Sequence, residues 1–367
     1  MTGGPLATPA LRTLPLGTLR PTGWLLERLR LQADGMAGHL DEFWPDVARS
    51  GWIGGDAEGW ERGPYWLDGI TGIAYLLDDD RLKAKVRRWV DHILDHQHPN
   101  GWFGPRAGEA TYADHDVWPR VIVLKALLQH LDATGDERVV PAALRFLRLL
   151  DGMLDEWPLL EWARSRWTDV VWVINQVHDL TCEDWLLPLA AKCKEQGFHW
   201  IEYAPPPERV PQATLLAAQE RHGGNWMNDD YLSSHVVNVA MGLKAMPVWW
   251  RHDASADQQP RLLRLMADLD EYHGQATGVF SGDEHLGGRH PSQGIARHPI
   301  TDNPFAPTTA PLGVQVRGRR IPWPLEHGAA AAPPSGVASA DAPLEDLTLI
   351  PYGCTKLRVT ELPRTTG

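Results

Sequence analysis

The chain has 367 residues, 43% of them hydrophobic and 22% charged, enough apolar material to bury a large core. Its 47 acidic side chains outnumber 35 basic ones, for a formal net charge of −12. That balance argues against a nucleic-acid groove or an anionic membrane surface as the partner. No apolar run is long enough to span a membrane, and residues 1–20 lack the apolar stretch of a secretory signal. Three cysteines, Cys182, Cys193 and Cys354, form no C-x-x-C pair and no disulfide framework, so a reducing cytoplasm is the expected compartment.

In chain order, residues 1–20 read as an extended lead-in. Helical spacing begins after Pro21, with Trp24, Leu25, Leu29 and Met36 on one side and Thr22 placed to cap the first turn. Gly51 to Pro64 is rich in glycine and acids, lacks periodicity, and reads as a long functional loop. A theme of apolar helix, acidic turn and second helix then recurs. Its first copy runs through Leu67–Leu77, Asp78 to Asp80 and Leu82–His96; its second through Val121–Leu131, Thr134 to Glu137 and Val139–Leu154. A looser third copy covers Val170–Val177, the turn Thr181 to Glu183 and Trp185–Gln196, and a fourth covers Val236–Trp250, Asp253 to Gln258 and Leu262–His273. Antiparallel helix hairpins at uneven intervals suit an α/α toroid, in which inner helices line a funnel and outer helices cover them. Residues 21–294 therefore read as a mostly α domain. Residues 295–367 read as a Pro/Ala-rich linker and a short β-like tail, with strand-like stretches at 312–316, 347–350 and 357–360.

Tryptophan is in excess, with 18 against 7 tyrosines and 6 phenylalanines. Indoles stack on sugar rings, and they also fill large cores. Four segments collect residues able to do chemistry. In Gly51–Tyr65, Asp56, Glu58 and Glu61 stand beside Trp52, Trp60 and Arg62. Carboxylates that fork onto vicinal hydroxyls beside stacking indoles make a sugar subsite, while the same acids could cap the next helix. No Gly-Lys-Ser/Thr follows, so this is not a phosphate loop. In Tyr112–Arg120, His115, Asp116 and Trp118 precede an apolar helix, where they would bind hydroxyls or, for Asp116, cap it. In Asn225–Asn238, His235 and Asn238 stand at another helix mouth; a lone histidine there also fits a satisfied structural role. In Gly278–Gly288, the adjacent Asp283 and Glu284 could supply a general acid or be solvated loop residues. No H-E-x-x-H or G-x-S-x-G motif occurs. Cys182 and Cys193, in apolar helical stretches, read as core thiols.

Several longer strings resemble one family. They are Leu31 to Glu42, Gly59-Trp-Glu-Arg-Gly-Pro-Tyr-Trp-Leu-Asp-Gly69, Ala74 to Asp79 and His98-Pro-Asn-Gly-Trp-Phe-Gly-Pro105. To these are added His235 to Ala240, Phe280-Ser-Gly-Asp-Glu-His-Leu286, Pro291-Ser-Gln-Gly294 and Leu349 to Arg358. Together they resemble the β-L-arabinofuranosidases of glycoside hydrolase family 127. The resemblance implies an (α/α)₆ barrel followed by β-domains, and a retaining mechanism with a zinc-bound cysteine thiolate as nucleophile and a glutamate as acid/base. It places Glu284 at that acid/base, with Asp283 one register away, and His235 at a sugar contact. The pattern then departs. After Gly294 the chain runs Ile-Ala-Arg-His-Pro-Ile, without the family's zinc-binding Glu and Cys, and no Cys-Cys pair occurs anywhere. The resemblance thus implies an incomplete (α/α)₆ toroid that has lost an internal block between roughly Gly294 and Asn303. The expectation is a glycoside hydrolase-like protein with a carbohydrate ligand of L-arabinofuranose type and no zinc in this chain. Its alternative is an inactive carbohydrate-binding remnant.

Overall fold

The computed structural model describes residues 6–9, 13–105, 115–207, 214, 217, 229–254, 258–275, 279–280, 282 and 285–287, together with the backbone of three short strands. The chain divides into two compact units. One comprises Met1–Tyr203 with Asn238–Leu262, and the other Ala204–Val237 with Leu263–Gly367.

The first unit is helical. Helices α1 (Gly23–Asp34), α2 (Met36–Phe43) and α3 (Pro45–Ala48) lead to a single 3₁₀ turn at Gly51–Ile53. Three helix hairpins follow: α4 (Arg62–Leu77) with α5 (Asp80–Asp95), α6 (Trp118–Thr134) with α7 (Val139–Met153), and, after the short α8 (Glu161–Ser165), α9 (Trp167–Thr181) with α10 (Leu186–Gln196). The acidic turns do what their sequence suggests. Asp78 takes a left-handed conformation and closes α4, and the Asp79 carboxylate accepts from the backbone N–H of Leu82 to start α5. Gly135 closes α6 in the same left-handed way.

The hairpins form two layers. Helix α4 packs on α6 and α6 on α9, while α5, α7 and α10 pack on their outer sides. The first three run parallel: Glu61, Trp118 and Arg166 meet at their N-terminal ends, and further along Gln129 meets Asp68 and Lys125 approaches Asp169. Their burial differs from that of the outer helices. From Asp116 to Leu128, every residue of α6 and its entry is buried except Lys125. A helix covered on nearly every side belongs to an inner layer. The outer helix α5 is amphipathic, burying Leu82, Val86, Trp89, Val90 and Ile93.

One difference from the sequence reading concerns where α4 begins. The helix starts at Arg62, more than a turn before the apolar run, so Gly63 and Pro64 are helical and buried rather than loop. A proline in the first turn has no hydrogen bond to lose, because the first N–H groups of a helix have no internal acceptor. Another concerns Cys182. It closes α9 in a left-handed conformation at the turn expected there, but it is exposed rather than a core thiol, whereas the buried Cys193 thiol is pushed up to about 12 by burial.

After the short α11 (Asp229–Ser234), the fourth helical repeat is broken into α12 (Val236–Gly242), α13 (Ala245–Trp250) and α14 (Gln258–His273). In the second unit Ser234 hydrogen-bonds His285 at 2.8 Å, and the Leu286 N–H donates to the Ser234 carbonyl. Strands β1 (Gly313–Val316), β2 (Arg319–Pro322) and β3 (Leu347–Leu349) form an antiparallel sheet in the order β2-β1-β3, pairing Val314 with Ile321 on one side and Leu349 on the other. The stretch at 357–360 lies outside the described residues. Among the described residues no helix is long and apolar enough to cross a membrane.

Between the first two hairpins, Gly101 turns the chain at φ +98°, and a β-carbon there would lie 2.4 Å from the Arg145 carbonyl oxygen. That turn delivers Trp102 and Phe103 onto Phe146, whose ring is fully buried with centroids 6.1 and 5.5 Å away. Truncating Phe146 to alanine is expected to cost about 3–5 kcal/mol of unfolding free energy, measured by urea denaturation.

Candidate functional site

The N-terminal ends of α4, α6 and α9 meet, and the residues entering these helices converge there. Glu61, at the start of α4, accepts a hydrogen bond on Oε2 from the Trp118 indole at 2.8 Å. The Arg166 Nη1 lies 3.5 Å from the same oxygen. Arg166, at the start of α9, is only 4% exposed, and its guanidinium sits between two indoles, 4.5 Å from the Trp118 ring and 4.6 Å from Trp162. Its Nε donates to the Asn238 side-chain oxygen at 2.8 Å, and its Nη1 has no hydrogen-bond partner among the described residues. Burial draws the guanidinium down from its ordinary value, against the pull of Tyr65, Glu61, Asp169 and Asp116.

Two carboxylates at this mouth have different duties. Asp116 commits both oxygens: Oδ1 accepts from the Trp118 backbone N–H at 3.0 Å and Oδ2 from the Trp60 indole at 2.6 Å. It takes the first helical N–H of α6 from the position before the N-cap, Val117, and also anchors Trp60. Glu61 commits one oxygen to Trp118, and among the described residues no hydrogen bond reaches its Oε1. Burial pushes the Glu61 carboxyl above its ordinary value, opposed by the Trp118 hydrogen bond and Arg166 and reinforced by Glu58 and Asp116. A part-buried carboxyl with one uncommitted oxygen and a raised pKa can donate or accept a proton, or bind a hydroxyl.

Further along the inner layer a polar stripe continues from this mouth. On α4, Tyr65 and Asp68 follow Glu61 at spacings of four and three, which places all three on one helix face. Tyr65 is pushed up to about 12, chiefly by burial, and Asp68 is raised for the same reason. The Asp68 carboxylate accepts from the Gln129 amide at 2.6 Å, with the Lys125 ammonium 3.7 Å away. Lys125 is also 3.8 Å from Asp169, a carboxylate only 1% exposed, which takes two hydrogen bonds from Lys244 at 2.6 and 2.7 Å. One rung deeper, Trp172 and Gln176 of α9 are the half-exposed residues on a helix otherwise buried along Trp167 to Val177. The inner wall is therefore polar and charged where it is not covered.

The residues singled out from the sequence separate into distinct roles. Trp60, Glu61, Asp116, Trp118 and Asn238 come together around Arg166. Glu58 supports them from behind, its Oε1 accepting from the N–H groups of Glu61 and Arg62. Trp52 is a core residue, 1% exposed, that donates its indole N–H to the Trp60 carbonyl. Asp56 points away and pairs with Arg49 at 2.9 Å on an exposed surface. His115 stacks on Trp157, with centroids 4.0 Å apart. His235 belongs to the second unit, where it is nearly buried and bridges His285. Asp283 and Glu284 lie outside the described residues. Arg166, Tyr65, Asp68, Lys125, Asp169 and Lys244 were not among the candidates read from the sequence.

A comparison with protein-family models matches none, and no curated protein matches the chain.

The raised carboxyl of Glu61 has a consequence with a definite sign. The folded state holds that proton more tightly than the unfolded chain does, so its contribution to stability is full at low pH and is lost as pH rises through the raised value. Glu61→Gln keeps the shape and removes the ionisation. Its stability relative to the wild type is expected to improve from about pH 4 to about pH 7 in urea titrations. The opposite trend would show that pairing with Arg166, rather than burial, dominates at Glu61.

Proposed function

We propose that this chain is a glycoside hydrolase-like protein whose site, at the convergent helix ends, takes an L-arabinofuranose-type glycan. The observation that carries the reading is Glu61: a carboxyl held by the indole N–H of Trp118, faced by a buried guanidinium, and with one oxygen uncommitted among the described residues. Trp60, 37% exposed and anchored through Asp116, offers an indole face beside it. A sugar needs this pairing of flat apolar surface and fixed hydrogen-bonding groups. The parallel inner helices and their outer partners support reading the hairpins as part of an (α/α)₆ toroid. The sequence strings that resemble family 127 arabinofuranosidases supply the sugar class.

The chemistry this chain's residues can perform is binding and proton transfer. Glu61 would orient a ring hydroxyl in its ionised form or donate a proton to a departing oxygen in its neutral form. Arg166 would favour the ionised form of Glu61, opposing the burial that favours the neutral one. The zinc-thiolate nucleophile of the resembling family does not fit the described residues. Cys193 is fully buried, Cys182 is an exposed helix cap, and no group of three His, Cys, Asp or Glu among the described residues could hold a metal. No step is routed through zinc. A second reading, a carbohydrate-binding protein without turnover, is favoured by the missing Cys-Cys pair.

The test is calorimetric titration with methyl β-L-arabinofuranoside, alongside hydrolysis of p-nitrophenyl β-L-arabinofuranoside. Saturable binding is expected, weakened about tenfold or more in Glu61→Ala, the size of one charged hydrogen bond. Turnover would assign the hydrolase, and binding without turnover the second reading. A folded wild type that binds no arabinofuranoside would overturn both.

A further inference from the structure

On the outer face of the first unit, away from Glu61, the helix turn at Pro99 and Asn100 meets α7 and the start of α10 around a depression of about 450 Å³. That volume lies within the range of small-molecule sites. Its wall carries Arg145, Arg148, Glu183 and Trp185. These side chains are held in place by the protein before any ligand arrives. The Trp185 indole donates to the Glu183 carboxylate at 2.8 Å, and the Arg148 guanidinium lies 3.5 Å over the Trp185 ring. Arg145 donates through Nε and Nη2 to the Gln97 side-chain oxygen, while the Gln97 amide is in turn fixed by the carbonyls of Gly101 and Ala142. Asn100 spends its oxygen on the backbone N–H of Trp102, so the donors of its amide are left over.

The hydrogen-bonding inventory of this wall is lopsided. Stacking on an indole satisfies the charge of Arg148 but none of its N–H groups, and no carboxylate or carbonyl among the described residues accepts from them. With Arg145 and Asn100, the wall presents surplus donors and two positive charges against the single carboxylate of Glu183, half of which is spent on Trp185. Asn100, Arg145, Arg148 and Glu183 are all exposed, so water meets their hydrogen-bonding groups in the free protein; in a chain whose formal net charge is −12, the depression stands out by its local positive charge. Guanidinium groups held in a fixed plane match oxyanions through paired, charge-assisted hydrogen bonds.

We propose that this depression binds a small organic oxyanion, with Arg148 and Arg145 receiving the carboxylate or phosphate and the Trp185 edge covering the ligand's apolar side. The site is separate from the one at Glu61 and does not depend on the sugar class proposed there.

The test is calorimetric titration of the full chain with D-glucuronate, inorganic phosphate and neutral D-glucose, at low and raised salt. Glucuronate is expected to bind and glucose not, with affinity falling as salt rises. Phosphate binding as well would show that the oxyanion alone suffices; glucuronate binding without phosphate would assign the carboxylate together with its ring. Arg148→Met is expected to weaken glucuronate about tenfold or more, and to leave arabinofuranoside binding at its wild-type level. Arg145→Met supplies a second variant on the same helix should Arg148→Met fail to fold. The proposal is overturned if glucuronate and phosphate both fail to bind the folded wild type, if glucose binds as well as glucuronate, or if the folded variants bind glucuronate as the wild type does.

Discussion

Burying the Arg166 guanidinium is the constraint on which the rest of the first unit's mouth depends. A cation taken out of water costs several kcal/mol unless charge and hydrogen bonds are returned to it. Here the return comes from three directions: the faces of Trp118 and Trp162, the Asn238 oxygen, and the nearby Glu61 carboxylate. Each partner belongs to a different stretch of chain, so satisfying one guanidinium fixes the ends of α4, α6 and α9 against one another. Among the described residues Nη1 has no hydrogen-bond partner, so the compensation there is incomplete. Proteins keep such debts where a ligand or a reaction uses them.

The same logic extends along the inner wall. Asp169 is almost fully buried and needs its two bonds from Lys244, with Lys125 beside it. Lys125 is shared with Asp68, whose raised carboxyl shows that sharing does not fully compensate burial. Acid and base alternate across neighbouring helices rather than along one. The wall is therefore close to electrically neutral while rich in hydrogen-bonding groups. That suits a polyhydroxylated ligand better than a charged one, and it contrasts with the cationic depression on the outer face.

Much of the helical layout was legible in the sequence because it rests on periodicity. The hairpins of α4 with α5 and α6 with α7 follow apolar spacing, and the turns at Asp79 and Gly135 follow from capping chemistry. The start of α4 was hidden because Gly63 and Pro64 read as loop residues unless their first-turn position is recognised. Cys182 sat in an apolar stretch, yet its backbone conformation ends the helix and turns the thiol outward. The mouth was half legible. Glu61, Trp60 and Trp118 stood out by density of acids and indoles, but Arg166 sits in an ordinary-looking Arg-Ser-Arg segment, and its importance lies in partners remote in sequence. A signal did exist: Glu61, Tyr65 and Asp68, like Lys125 and Gln129, recur at spacings of three and four within apolar helices. Read as an inner stripe, that spacing marks the wall.

The measurement that bears most directly on the central claim is a ¹⁵N–¹H spectrum of the tryptophan indole N–H groups, titrated with methyl β-L-arabinofuranoside. The Trp60 and Trp118 indoles, which hold Asp116 and Glu61, are predicted to shift with a common saturation curve, while the core indoles of Trp89 and Trp200 stay in place. Saturating shifts confined to other tryptophans, or none at all, would contradict a sugar site at the mouth formed by Glu61 and Arg166.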